Sequence, residues 1–152
     1  MSLKTLTREI ELPIERSEAW AFFSDPGNLA LITPDNLNFR ITSEPNTSTY
    51  AGQIISYTVT PFLGLPARWV TEITHVREGE FFVDEQRLGP YKLWHHQHFF
   101  ESTETGTLVR DKVTYEVGWC ILGEFLHAAF IGRRLESIFD YRTEVLRERF
   151  GQ

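Results

Sequence analysis

Three of the chain's five histidines fall within four positions, in the stretch "GPYKLWHHQHFFE" from Gly89 to Glu101. An extended segment sends successive side chains to opposite sides. Trp94, His96, His98 and Phe100 therefore share one face, and Leu93, His95, Gln97, Phe99 and Glu101 share the other. The flanking segments carry carboxylates in matching phase. A hairpin closed around "LGPY" sets Gln86 opposite Trp94, Asp84 opposite His96 and Phe82 opposite His98. A second, closed around "STETG", sets Val109 opposite Phe100, Asp111 opposite His98, Val113 opposite His96 and Tyr115 opposite Trp94. Val109, Val113 and Val117 mark this face as the inner one, because Leu108, Arg110, Lys112, Thr114 and Glu116 belong in water. His95 then lies outside as a solvated strand residue.

Buried imidazoles and carboxylates need partners, and Asp–His pairs across neighbouring strands satisfy each other. Such a wall suits several chemistries. A His-x-His pair with Asp84 or Asp111 offers metal ligands, but no second ligand motif accompanies it, and no metal or cofactor is expected. Histidines steered by aspartates in a water-poor cavity can also act as general acid and base, so His96, His98, Asp84 and Asp111 are the catalytic candidates if the protein is an enzyme. No nucleophile motif or phosphate loop supports that independently. The reading preferred here is a pocket for an amphipathic molecule. Tyr57, Trp69, Phe82, Trp94 and Tyr115 form its apolar wall, and Asp84, His96, His98 and Asp111 hold a hydroxyl or carbonyl. A filled core with a satisfied polar network is the plain alternative.

The elements that must position these groups are legible in period and punctuation. "LKTLTREIEL" alternates as a first strand. Ser17 can cap a short helix, and Asp25–Pro26 starts another that Pro34 closes. Six strand-like runs follow: "NFRITSE", "GQIISYTVT", "ARWVTEITHV", "EFFVDEQRL", "KLWHHQHFFES" and "TLVRDKVTYEV". Short turns separate them, as consecutive antiparallel strands require. From Gly123 to about Arg149 the period becomes helical, with Ala128, Ile131, Gly132, Leu135, Ile138, Phe139, Leu146 and Phe150 on one face. Arg142 shares that face; its stem is expected to lie on apolar surface while its head reaches water, outside the site.

Connections in a meander alternate between the two ends of the sheet. "EPNTSTYAG", "REGE" and "STETG" are polar, whereas "PFLGLP", "LGPY" and "VGWCILG" share the other end and are apolar. A cavity mouth lined by Phe62, Leu63, Leu65, Tyr91 and Trp119 is expected there; the alternative is a protein or membrane adaptor that docks through this apolar end, which also suits weak homodimer or membrane contact. Small residues at Ala128 and Gly132 would leave space near that mouth.

At 152 residues the chain is read as a single domain, 1–152, large enough for a core without disulfides; Cys120 is its one cysteine. A net charge of −6 argues against a nucleic-acid partner. The absence of a membrane-length apolar run or a signal-peptide core makes a cytoplasmic location the expectation.

The layout, together with "GLPARW", "FVDEQRLGPYKLWHHQHFFE" and "RRLESIFDYR", resembles the START-like helix-grip superfamily, also called SRPBCC. The likeness spans Leu3 to about Phe150 and is nearest the polyketide-cyclase/dehydrase-like and coenzyme-Q-binding-like branches. "GLPA", Gly64 to Ala67, looks like the gate loop of the superfamily's plant hormone receptors. The resemblance implies an α+β helix-grip fold: a curved seven-stranded antiparallel sheet wrapped around a long C-terminal helix, with two short helices after strand 1. It also implies a cavity for a lipid, quinone or polyketide. Members carry lipids, sense hormones, cyclise polyketides or act as adaptors, so fold alone does not choose among these roles.

Overall fold

A computed structural model describes residues 3–44, 48–62, 64–117 and 124–151, with backbone alone for Phe62 and for 124–129. The chain runs β1 (Lys4–Leu12), α1 (Arg16–Phe23), two 3-10 helices (Pro26–Ile32 and Asp35–Leu37), β2 (Arg40–Ile41), β3 (Ile54–Phe62), β4 (Leu65–Arg77), β5 (Phe81–Leu88), β6 (Tyr91–Ser102), β7 (Thr107–Val117) and α2 (Glu124–Phe150). The seven strands form one antiparallel sheet in the order β1-β7-β6-β5-β4-β3-β2. β1 and β2, neighbours in sequence, are therefore its opposite edges, and the helices between them cross from one edge to the other.

The sheet bends because several ladders are irregular. Register shifts fall between Val59 and Phe62, between Val70 and Thr71, between Ile73 and His75, and between Tyr91 and Leu93. Extra residues of this kind sharpen the twist and curl a strand. The bend brings the sheet's inner face around α2, whose buried stripe is Ile131, Leu135, Phe139, Arg142 and Leu146. On the β1 side, the Arg8 guanidinium reaches Asp140 of α2 at 3.2 Å.

Inside, two apolar clusters form. One gathers Ile10, Phe22, Ile32, Ile73, Phe82, Phe100, Val109 and Leu146; the other Leu6, Leu37, Val59, Trp69, Tyr91, Val113, Tyr115, Leu135 and Phe139. Along β7, Asp111 separates Val109 from Val113, and along α2, Arg142 separates Phe139 from Leu146. A polar belt thus divides the core.

Several local expectations change. α1 begins at Arg16 after Glu15, so Ser17 lies inside the helix rather than capping it. Asp25 does initiate the next segment, its side chain accepting from Gly27 N at 2.8 Å, but the segment is 3-10. "NFRITSE" contributes only Arg40 and Ile41 to the sheet. "GLPA" does lie between β3 and β4, yet β4 already begins at Leu65, so most of it is paired strand rather than a free loop.

Candidate functional site

β5, β6 and β7 set the polar belt by register alone. Phe82 pairs with His98 and Asp84 with His96 across one ladder; His98 pairs with Asp111, His96 with Val113 and Trp94 with Tyr115 across the next. The first ladder ends at Glu85–His95. Beyond it the Gln86 side chain takes over, donating to the Tyr91 carbonyl at 2.7 Å and accepting from its N–H at 3.1 Å. Period-2 alternation then sends Asp84, His96, His98 and Asp111 to the same side.

The four side chains interlock. His98 Nε2 donates to Asp84 Oδ2 at 2.7 Å and His96 Nε2 donates to Asp111 Oδ1 at 2.9 Å. His98 Nδ1 also lies 2.9 Å from Asp111 Oδ1, but off the ring N–H direction, so this contact acts through charge. The imidazoles face each other with centroids 3.8 Å apart, and Phe82 stacks on His98 at 4.1 Å. Arg142 completes the belt from α2. Its Nη1 is 3.7 Å from Asp111 Oδ2, and its guanidinium lies 4.8 Å from the centre of the Phe139 ring.

These contacts decide where protons sit. Burial works against charge on His98, but its contacts with Asp111 and Asp84 outweigh burial and push its pKa above the usual histidine value. For His96, burial and the neighbouring His98 charge prevail over both aspartates, so its pKa falls. Burial alone would raise both carboxyls; instead the imidazoles hold Asp84 below the ordinary range and Asp111 well below it. The belt therefore sets two carboxylates against Arg142 and against His98, the more readily protonated of the two imidazoles.

A cavity of about 180 Å³ opens beside the belt. Tyr57, Trp69, Phe82, Asp84, Trp94, His96 and His98 all line it. Trp69 stacks with Tyr57 at 5.7 Å and meets Trp94 edge-on at 5.2 Å, making an aromatic wall. Asp111 and Tyr115 are buried but do not reach that surface; they stand behind it. Tyr91, expected at the mouth, is a buried wall residue, while Leu65 is 67% exposed and lies off the lining. Leu63, Trp119 and the Phe62 side chain lie outside the described residues.

The space expected opposite Ala128 and Gly132 lies elsewhere. Ala128's side chain is outside the description, and a methyl at Gly132 would sit in ordinary contact with Tyr115 Oη at 3.6 Å, so Tyr115 already borders that position. The cavity faces Leu135, Ile138, Phe139 and Arg142, farther along α2. Its opposite wall comes from Asn28, Leu29, Ile32 and Thr33 along and just after the first 3-10 helix, Leu37 of the second, and Phe39 beyond it. Sequence reasoning misses these, although the three-residue spacing of Leu29 and Ile32 is the signal a 3-10 turn leaves. Arg142, expected outside the site, is only 8% exposed and lines the cavity. The carboxylate of Asp111 opposite it explains the difference, because a guanidinium with a buried counter-ion need not reach water.

Asp84, His96 and His98 bring three donor atoms within 4.8 Å of one another, the spacing a metal ion would need. In this arrangement their ring nitrogens are turned to Asp84 and Asp111.

A bent antiparallel sheet gripping a C-terminal helix, with a cavity between them, defines a START-like helix-grip domain. The sequence profile described as polyketide cyclase / dehydrase and lipid transport matches residues 12–144, and the chain belongs to that family. Among solved structures, the chain is similar to TTHA0849 from Thermus thermophilus, at TM-score 0.71 and 15% identity, covering 96% of each chain. It is also similar to a START superfamily protein from Mycobacterium smegmatis, at TM-score 0.66 and 11% identity, covering 97% of each. Protein CV1439 from Chromobacterium violaceum matches at TM-score 0.66 and 13% identity, over 93% of this chain and 96% of that one. Curated proteins give no match by sequence. Among the described residues, no helix is long and apolar enough to cross a membrane.

Proposed function

We propose that the protein binds a small hydrophobic or amphipathic molecule, for carriage or sensing, in the cavity between the sheet and α2. The observation that supports this reading is the cavity wall itself: apolar over most of its extent, with aromatic rings prominent and a minority of polar groups, among them Asp84, His96, His98 and Arg142. The volume of about 180 Å³ slightly exceeds the roughly 150 Å³ void that takes up benzene, which suits a molecule of one or two rings or a short acyl chain. Native mass spectrometry of gently purified protein, followed by denaturing extraction, tests it. A stoichiometric organic adduct is expected. Failure of every small apolar probe to bind would sink the reading.

A second reading, acid–base catalysis of the cyclase or dehydratase kind, draws on the exposure of His96, His98 and Asp84 to the same cavity. An imidazole of lowered pKa beside one of raised pKa offers a base and an acid within one contact. It predicts that His96→Ala and His98→Ala abolish turnover while ligand affinity is largely kept. A carrier instead loses affinity on Trp94→Ala and has no turnover to lose.

A further inference from the structure

His96 and His98 each present one ring nitrogen to Asp84 and the other to Asp111. His98 Nε2 and His96 Nδ1 lie 2.7 and 3.5 Å from the same Asp84 oxygen, Oδ2. The remaining nitrogens, His96 Nε2 and His98 Nδ1, both lie 2.9 Å from one Asp111 oxygen, Oδ1. Asp84 borders the cavity together with both imidazoles, whereas Asp111 is buried behind them. Arg142 approaches Asp111 through the other oxygen, Oδ2, at 3.7 Å, which leaves Oδ1 to the rings.

That division of the nitrogens is the one a metal ion uses. A ligating imidazole usually gives its second N–H to a carboxylate, which fixes the tautomer and aims the other nitrogen at the ion. His96 is already set this way: Nε2 donates to Asp111, and in the neutral ring Nδ1 keeps its lone pair on the Asp84 side. In His98 the bond to Asp84 is made by Nε2–H, and Nδ1 has no aligned partner. An ion at Nε2 displaces that proton and leaves the ring's N–H at Nδ1, beside Asp111.

The spacing agrees. Donor atoms about 2.1 Å from one ion are roughly 3.0–3.4 Å apart. The 3.5 Å pair is already near that separation, and the 2.7 Å pair needs to open by about 0.3–0.7 Å. All three donor atoms lie within 4.8 Å of one another. The His-x-His pattern supplies two nitrogens from β6, and the fold adds an oxygen from β5 that no sequence motif marks.

We propose that Asp84, His96 and His98 bind a divalent first-row transition ion, with Asp111 holding both rings from behind. Two imidazoles and a carboxylate suit Zn²⁺ or Co²⁺ better than Mg²⁺, which prefers oxygen ligands. Three protein ligands leave a coordination position on the cavity side for water or an oxygen of a bound molecule.

Calorimetric titration of the intact, chelator-treated protein with Zn²⁺, Co²⁺ and Mg²⁺ tests this, together with imidazole NMR of the unmodified chain. Zn²⁺ and Co²⁺ are expected to bind one ion per chain, and Mg²⁺ about tenfold more weakly or worse. Zn²⁺ should shift the ring resonances of His96 and His98 and leave those of His75, His95 and His127 in place. Asp84→Asn is expected to weaken Zn²⁺ binding about tenfold or more, at least the cost of losing a ligand's own hydrogen-bond partner. His95→Ala, on the outer face, should change nothing. Zn²⁺ that does not bind, that shifts only other histidines, that Mg²⁺ matches in affinity, or that Asp84→Asn binds as tightly would overturn the proposal. Should Asp84→Asn fail to fold, the ring shifts of the unmodified chain decide. Uptake of tetralin, a bicyclic hydrocarbon with no ligating atom, reports on the cavity separately, so the metal site and the ligand-binding reading fail independently.

Discussion

His98 lies between two aspartates that raise its pKa, so its share of the stability depends on pH with a definite sign. A pKa raised above the usual 6.5 stabilises the fold fully below that value and is lost as pH rises through the raised one. The stability gap between the unmodified protein and His98→Gln, followed by urea unfolding, is therefore expected to narrow from pH 6 to pH 9. Asp111 behaves oppositely: its lowered pKa stabilises above the ordinary carboxyl value and is lost as pH falls through the depressed one. Asp111→Asn takes a charge from His96, His98 and Arg142 together, and is expected to cost about 3–5 kcal/mol at pH 7. The loss should shrink on acidification, as melting profiles across pH would show. These residues are legible in the sequence because strand alternation fixes faces, and two short hairpins fix partners. Arg142 is not, since helical period puts it on the inner face without saying whether a counter-ion waits there.

At the scale of elements, turn chemistry and period locate the strands and α2, while geometry too local for pattern reading sets the details. Between Pro26 and Pro34 the chain takes up 3-10 turns rather than an α-helix. The β6–β7 hairpin shows a steric demand of the same local kind. A Cβ on Gly106 would run into the Leu12 carbonyl oxygen and come within 2.9 Å of Pro13 Cα, both backbone atoms that cannot swing away. Gly106→Ala is expected to destabilise by about 1–3 kcal/mol, the usual cost of overpacking, with the β1 end loosening first. Hydrogen exchange at Ile10 and Leu12 would detect that. On α2, Phe139 is 2% exposed and packs against His96 and Arg142. Phe139→Ala is expected to cost about 3–5 kcal/mol by thermal or urea unfolding.

For the whole molecule, sheet and helix are readable from the sequence but the third wall of the cavity is not, because a short 3-10 segment has too few repeats to reveal where it packs. Leu29 on that wall gives a direct handle. Leu29→Trp is expected to reduce tetralin uptake about tenfold or more by filling space a ligand needs, with the melting midpoint little changed. Calorimetry and a thermal scan together check it. The path from β1 to β2 has one more consequence. The strap across the concave face is synthesised before nearly all of the sheet it spans, and α2 comes last. At roughly 5–20 residues per second, the strap waits on the order of ten seconds for its partners. During that interval Leu29, Ile32 and Leu37 have no native surface to cover. Unburied apolar surface on ribosome-bound chains therefore grows until α2 emerges, and the cavity comes into being only at that final step.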